Sequence, residues 1–419
     1  MKTSTASRGT IFSWALFDFA NTGFYVIIIT LVFPIYFTNV LAEGNEAIWG
    51  RTLSISMLIT ALIGPLLGSV ADATSRKKFF LVLFTAACVL ATSGLYFTVE
   101  GMLGLGIVLV IIANVGFEGG TIFYDAFLPE LAEEKDYARV SALGWAVGYA
   151  GSLAILILAL AILGDDPGAH QTRLTFLVAA GFFALFAMPM FLKVPERRDQ
   201  GASAVERPFV EGYRRLRQTM THLRSYRDVV RFLLAFFVYN DSILTVILFA
   251  GIFAKNVLQF EMFDLIIFFV IVQVTALIGS LIFGRVAGKI GPRNTILYTL
   301  GMWILVVVIA YFVQDAMLFY VVGGIAGLAL GSSQSTSRTM MALLTPEDKR
   351  TEFFGFYDGF FGKASAVIGP LIFGEVAQGI GQRPAMLVVG IFFVVGMLLL
   401  LRVPNALPGK YHSPGESTV

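Results

Sequence analysis

TALIGPLLGSVAD, residues 60–72, returns in the second half of the chain as TALIGSLIFGRVAG, residues 275–288, with one residue inserted. Each copy lies in an apolar run of roughly 20 residues or more, the length that crosses about 30 Å of hydrocarbon. Runs of this kind recur near 11–40, 48–71, 79–98, 103–128, 140–163, 172–192, 230–254, 262–287, 294–313, 317–343, 353–377 and 385–402. They predict twelve transmembrane helices, because a helix closes its own backbone hydrogen bonds where no water is available. Composition agrees: 57% of residues are hydrophobic, 14% are charged and mean hydropathy is +0.79. A soluble domain is nearer a quarter charged. The expected fold class is therefore an all-α integral membrane protein.

The repeat divides the chain. ALFDFANTGFYVIII (15–29) aligns with LAFFVYNDSILTVIL (234–248), pairing Phe17 with Phe236 and Asn21 with Asn240. A third echo, VIGPLIFGEVAQGIGQR (367–383) against LIGSLIFGRVAGKIGPR (277–293), runs in the opposite sense through the membrane. The longest polar segment, Pro195 to Asp228, separates spans six and seven. The expected organisation is two pseudo-symmetric six-helix bundles, 1–194 and 229–419, joined by a basic, partly helical linker, 195–228. The linker reads either as a solvated tether or as a helix resting on an anionic membrane surface.

Charge gives the orientation. With a cytoplasmic N-terminus, the 30 Lys and Arg residues fall almost entirely on the inner side; Arg51, Arg173, Lys255 and Arg383 lie outside and Lys363 lies within a span. That asymmetry satisfies the positive-inside rule, with both termini cytoplasmic. It also explains the basic linker without nucleic acid. Compact loops and the strong bias suit a bacterial inner membrane better than a vacuole. The first run contains Asp18 and lacks a small-residue cleavage site, so it reads as a retained span.

Several chemistries are disfavoured. Cys88 is the single cysteine, so no intramolecular disulfide is expected, and the three histidines have no metal-ligand spacing. GFFGKAS (359–365) lacks the first glycine and the final Ser or Thr of a phosphate-binding loop. No covalent chemistry, metal or cofactor is expected; an ion gradient would drive the protein.

GSVADATSRKK (68–78) resembles the signature between helices two and three of major facilitator transporters: Gly68, Asp72, Arg76 and Lys77 match, and Ser75 replaces a glycine. The equivalent segment GRVAGKIGPRN (284–294) has Gly288 at the aspartate position. Parallel halves with an inverted repeat inside each are the plan of that superfamily. WALFDFANTGF, FYDAFLPELA, GWAVGYAGS, FLLAFFVYNDSILTV and EFFGFYDGFFGKASAVIGPLIFG together resemble its vacuole effluxer-like branch, typified by fungal vacuolar amino-acid exporters. Asp125 stands where that branch usually has asparagine. The resemblance implies a cavity lined by helices one, four, seven and ten, and an Asp72 that meets the N-terminus of helix eleven near Phe353. Arg76 is the expected ionic partner of Asp72.

Ionisable residues in an oily span are costly and point to function. Asn114, Glu118, Thr121 and Asp125 fall at i, i+4, i+7 and i+11, one stripe on helix four. Asp18, Asn21, Thr22 and Tyr25 share a face of helix one; Asn240 and Asp241 lie on helix seven, Gln334 and Arg338 on helix ten, Asp358 and Lys363 on helix eleven. Glu118, Asp241, Asn21, Asn240, Lys363, Asn114 and Tyr25 are the candidates for substrate binding or proton coupling, Glu118 and Asp241 as alternative coupling acids. Asp18, Asp72, Arg76, Asp125, Arg338 and Asp358 are the candidates for a gating charge network. Lys363 has three open readings: a substrate carboxylate, Asp358 or Glu118. Glycines at spacings of three and four, such as Gly64 and Gly68, read as close helix packing.

The expected function is secondary transport of a small polar organic solute by alternating access, an amino acid first, exported with proton coupling by a monomer in the lipid bilayer. The alternatives are export of a sugar, nucleoside or drug, or a receptor or channel on the same fold.

Overall fold

A computed structural model describes residues 6–164, 168–196, 207–365 and 368–406. Twelve helices among the described residues are long and apolar enough to cross a membrane. In chain order they are α1 (Arg8–Leu41), α2 (Ile48–Thr74), α3 (Lys77–Phe97), α4 (Leu103–Leu131), α5 (Glu134–Leu163) and α6 (Ala169–Lys193). The second set is α7 (Leu223–Lys255), α8 (Asp264–Ile290), α9 (Pro292–Phe312), α10 (Ala316–Leu344), α11 (Glu347–Ile380) and α12 (Gln382–Leu400). A shorter helix, Pro208–Thr221, lies between the two sets of six. Of the basic residues that orient the chain, Lys2, Arg197, Arg198 and Lys410 lie outside the described residues, as do both termini and positions 197–206 of the linker.

Three helices start well before their apolar runs do. α5 begins at Glu134 rather than near 140, α7 at Leu223 rather than near 230, and α11 at Glu347 rather than near 353. All three extensions are polar turns, so hydropathy does not register them. The side of the bundle holding these ends also carries Arg76, Lys135, Lys193, Arg227 and Lys289, and is called the basic side below.

α1 and α11 are not regular. Val32 donates to the Ile27 carbonyl, Ala42 to Phe37 and Gly362 to Tyr357, each a reach of five residues instead of four. Pro34 follows the first of these wide turns. It has no N–H to donate and crowds the carbonyl four residues back, so the helix widens ahead of it. Wide turns of this kind are frequent at functional sites in helices.

The two halves meet tightly on the basic side. A Cβ on Gly68 of α2 would overlap the Thr351 carbonyl of α11, and one on Gly284 of α8 would overlap the Ala142 methyl of α5. Only glycine permits these backbones to approach so closely. The seam excludes solvent there and leaves a cavity further along the spans.

Candidate functional site

The cavity between the halves has a volume of about 480 Å³ and is bounded largely by apolar side chains. Its polar lining comes from α1 (Asp18, Asn21, Tyr25), α4 (Glu118, Thr121, Asp125), α7 (Asn240) and α10 (Gln334, Arg338). α5 adds Trp145 and Tyr149, α8 adds Gln273, and α11 adds Asp358 and Lys363. The four helices expected to line it do so, and α5, α8 and α11 line it as well. A mostly apolar pocket with a few convergent polar groups is the usual form of a small-molecule site.

The deepest polar contact between the halves is an ion pair. Lys363 Nζ of α11 lies 2.5 Å from Glu118 Oε2 of α4. Of the three readings open for Lys363, this geometry gives the pairing with Glu118. At 1.5 Å rise per residue the pair sits roughly 20–24 Å from the basic ends of α4 and α11. Asn240 donates to Ser365 Oγ at 2.7 Å, tying α7 to the same stretch of α11. Asp358 lies between this layer and the basic side; its Oδ2 is buried and accepts no hydrogen bond among the described residues.

A second layer, about 9–15 Å from the basic ends, closes the cavity floor. Arg338 of α10 is buried, and its Nη1 lies 2.7 Å from Asp125 Oδ1 of α4 and 3.2 Å from Asp18 Oδ2 of α1. Its Nε donates to Ser141 Oγ at 3.0 Å and its Nη2 to the Ser141 carbonyl at 2.7 Å. Tyr124 Oη donates to the same Asp18 oxygen at 2.8 Å. Trp14, Tyr124 and Trp145 surround the guanidinium, with its carbon 5.0, 5.7 and 5.4 Å from their ring centres. A flat cation with five donors suits this enclosure of two carboxylates, a hydroxyl, a carbonyl and aromatic faces. Every one of those partners belongs to the first half, so one side chain from the second half latches three helices of the first.

A third contact lies at the membrane exit. Asp72 accepts the Thr351 and Glu352 amides, at 3.1 and 2.9 Å, at the first turns of α11. A carboxylate there satisfies orphan N–H groups and favours the positive end of the helix dipole. The helix-terminus contact is the expected one, but the expected Arg76 partner is not used. Arg76 is exposed, and Lys77 turns inward to pair with Glu130 of α4, over the Phe127 ring.

Two further expectations are corrected. Asp241 does not reach the cavity. Its Oδ1 accepts the Gly369 amide at 2.8 Å, with Ile368 donating as well, so it caps the part of α11 farther from the basic side as Asp72 caps the start. Asn114 also leaves the cavity stripe: its Nδ2 donates to Ser56 Oγ of α2 at 2.7 Å and packs α4 on α2. Helical periodicity assigns a face but not which neighbour that face meets along its length, and α4 crosses from α2 to the cavity.

Ser141, Tyr124, Trp145, Tyr149, Gln273 and the Lys77–Glu130 pair were not anticipated as site residues. Trp145 and Tyr149 are four apart in a stretch of α5 otherwise built from small residues, GWAVGYAGS, and that spacing was the available signal.

A family model described as vacuole effluxer Atg22 like matches residues 45–406. The chain is 32% identical over 407 residues to the uncharacterized MFS-type transporter YxiO of Bacillus subtilis (strain 168), covering 94% of each. It is 20% identical over 473 residues to autophagy-related protein 22 of Eremothecium gossypii, covering 97% of this chain and 92% of that protein. The solved proton:xylose symporter XylE of the major facilitator superfamily, bound to 6-bromo-6-deoxy-D-glucose, has a TM-score of 0.75 at 16% identity, covering 97% of this chain and 98% of that one. That last likeness is one of fold. The family model, the Bacillus relative and the twelve membrane-length helices among the described residues make this chain a multi-pass membrane transporter of the major facilitator type, not an enzyme, and it belongs to the vacuole effluxer Atg22-like family.

Proposed function

We propose that this transporter exports a small polar organic solute, an amino acid first, in exchange for or together with protons, by alternating access. The observation that carries the reading is the Lys363–Glu118 pair on the cavity wall, one charge from each half. An amino-acid zwitterion offers the same two charges, so it can replace the internal pair with no net change in buried charge. Its carboxylate would take Lys363, and its ammonium would take Glu118 with the Asn21, Tyr25 and Asn240 side chains around it. Between departure of the substrate ammonium and return of Lys363, Glu118 has no cation beside it and can carry a proton.

In this reading the bundles 1–194 and 229–419 rock about the linker 195–228. The basic side is cytoplasmic by the positive-inside rule, with both termini there, and the Bacillus relative favours a bacterial inner membrane. Asp18, Asp125, Arg338 and Asp72 hold the cytoplasmic side shut while the cavity serves the opposite face, and Asp358 waits beneath the pair. A monomer contains all of these parts.

Trp145 and Tyr149, with ring centres 5.9 Å apart at the cavity wall, favour a second reading in which a sugar or another ring-bearing solute stacks there. One experiment separates the two. The purified protein in liposomes is given an imposed pH gradient and offered amino acids, sugars and nucleosides in turn. Saturable, gradient-driven accumulation of an amino acid is the expected result. Accumulation of sugars alone would replace the substrate class, and non-saturable flux unaffected by the gradient would end the transporter mechanism proposed. Glu118→Gln is expected to abolish gradient-driven uptake and to spare counterflow exchange; survival of both would remove Glu118 as the coupling acid.

A further inference from the structure

The helix Pro208–Thr221 presents three unlike sectors. One faces the protein. Gly212 and Thr219 are buried; the Gly212 carbonyl accepts from Ser69 Oγ of α2 at 2.9 Å, and Thr219 Oγ1 accepts from Lys349 Nζ at the start of α11 at 2.6 Å. A Cβ on Gly212 would lie 3.0 Å from the Val70 amide nitrogen, so the helix is seated directly on α2. It therefore bridges both halves beside the Asp72 contact.

The second sector is apolar and uncovered. Phe209, Tyr213 and Met220 recur at i, i+4 and i+11 on one face, with Val210 at its edge. Their exposures are 61, 61, 49 and 62% respectively. The third sector is polar, with Arg214 and Gln218 exposed and Arg217 at the border between the two. Glu211 is its acid. The hydrogen bond from Arg214, seconded by Arg215, holds that carboxyl below the usual range, so it stays ionised, yet the helix keeps a net positive charge.

Depth decides what the apolar sector meets. Ser69 is five residues from the end of α2 at Thr74, roughly 7.5 Å along the axis. A helix seated on Ser69 lies where the span leaves the hydrocarbon, the level at which an interfacial helix buries its apolar side about 5–10 Å into the headgroup boundary. Water does not suit three large apolar side chains on one face with Val210 at its edge, and arginines beside them suit phosphate-bearing headgroups.

We propose that Pro208–Thr221 is an anionic-lipid-binding surface helix, with Phe209, Tyr213 and Met220 inserted among the upper acyl chains and Arg214 and Arg217 on lipid phosphates. This goes beyond the transport reading and does not depend on the substrate.

The test uses the full chain in vesicles of phosphatidylcholine, with or without phosphatidylglycerol. Cys88 is fully buried, so a cysteine introduced as Tyr213→Cys or Gln218→Cys takes a fluorescent label selectively. The label at 213 is expected to be quenched by lipids brominated on the acyl chain and shielded from aqueous iodide, more strongly with phosphatidylglycerol present. The label at 218 should show the reverse. Adding Arg214→Gln and Arg217→Gln should cut the advantage of anionic vesicles by about fivefold per arginine. Equal iodide quenching at 213 and 218 would overturn the proposal in favour of a solvated tether. Protection of 213 from both quenchers would overturn it in favour of a protein cover. Lipid quenching identical in neutral and anionic vesicles would overturn the recognition of phosphate.

Discussion

Arg338 on α10, in the second half of the chain, binds Asp125 on α4, in the first, through a 2.7 Å contact, with almost none of its surface exposed. The two residues are 213 positions apart. In the alternating-access reading proposed above their pairing closes the cavity on the basic side, and that role is measurable.

Asp125→Asn removes one of the two charges on Arg338 while keeping the size and a hydrogen-bond acceptor. Asp18 remains as the counter-ion. The expected outcome is a folded protein whose basic side opens more often. Alkylation of a cysteine introduced at buried Ala138 should rise several-fold for a reagent supplied from the basic side. Unchanged labelling would mean that the layer is structural and not a gate. Arg338→Ala instead strands two buried carboxylates, and a loss of about 3–5 kcal/mol in unfolding stability is expected.

Gly68→Leu tests the seam itself. The side chain would occupy the place of the Thr351 carbonyl, so α2 and α11 cannot close as they do here. The clash is relieved by parting the two helices at that end, so the protein should still fold but populate a form open at the basic side. Distances between spin labels on the basic ends of α2 and α11 should lengthen, and an unchanged distribution would contradict the close-packing account.

Glu118 and Lys363 make a reciprocal pair, which a double-mutant cycle can read. Either Glu118→Gln or Lys363→Gln alone leaves one charge facing a largely apolar cavity. Because Lys363 keeps contact with cavity water, its side chain being 22% exposed, the cost should fall below that of a fully buried pair, about 1–3 kcal/mol. The double variant should recover much of it. Additive losses in thermal unfolding would show that the two residues do not interact in solution.

Asp241→Ala removes the acceptor for the Gly369 amide. Loss of a helix-capping carboxylate costs about 0.5–2 kcal/mol. The expected phenotype is lower thermal stability with gradient-driven uptake retained, the opposite of Glu118→Gln. If Asp241→Ala and Glu118→Gln lose gradient-driven uptake alike at equal stability, Asp241 serves coupling and not capping.

Much of this protein can be read along the chain. Twelve apolar runs impose twelve helices, since lipid leaves the backbone no other partner, and the repeated TALIG segments and pairing of Asn21 with Asn240 imply duplicated halves. Which spans carry cavity charges was also legible, because an ionisable residue in hydrocarbon is too costly to be incidental. Partners were not. Asp241 and Glu118 look equivalent as mid-span acids, and Asn114 and Thr121 share one helical face, yet Asp241 caps α11 and Asn114 ties α4 to α2. A helical period specifies direction around one axis only. Whether that direction ends at a cavity, an amide or another helix depends on how the axes cross, and on Pro34 and the wide turns of α1 and α11 that bend them. The pairing of Lys363 with Glu118 and the enclosure of Arg338 by Asp125, Asp18 and Ser141 exist only once the two halves are in contact. Tertiary structure alone decides them.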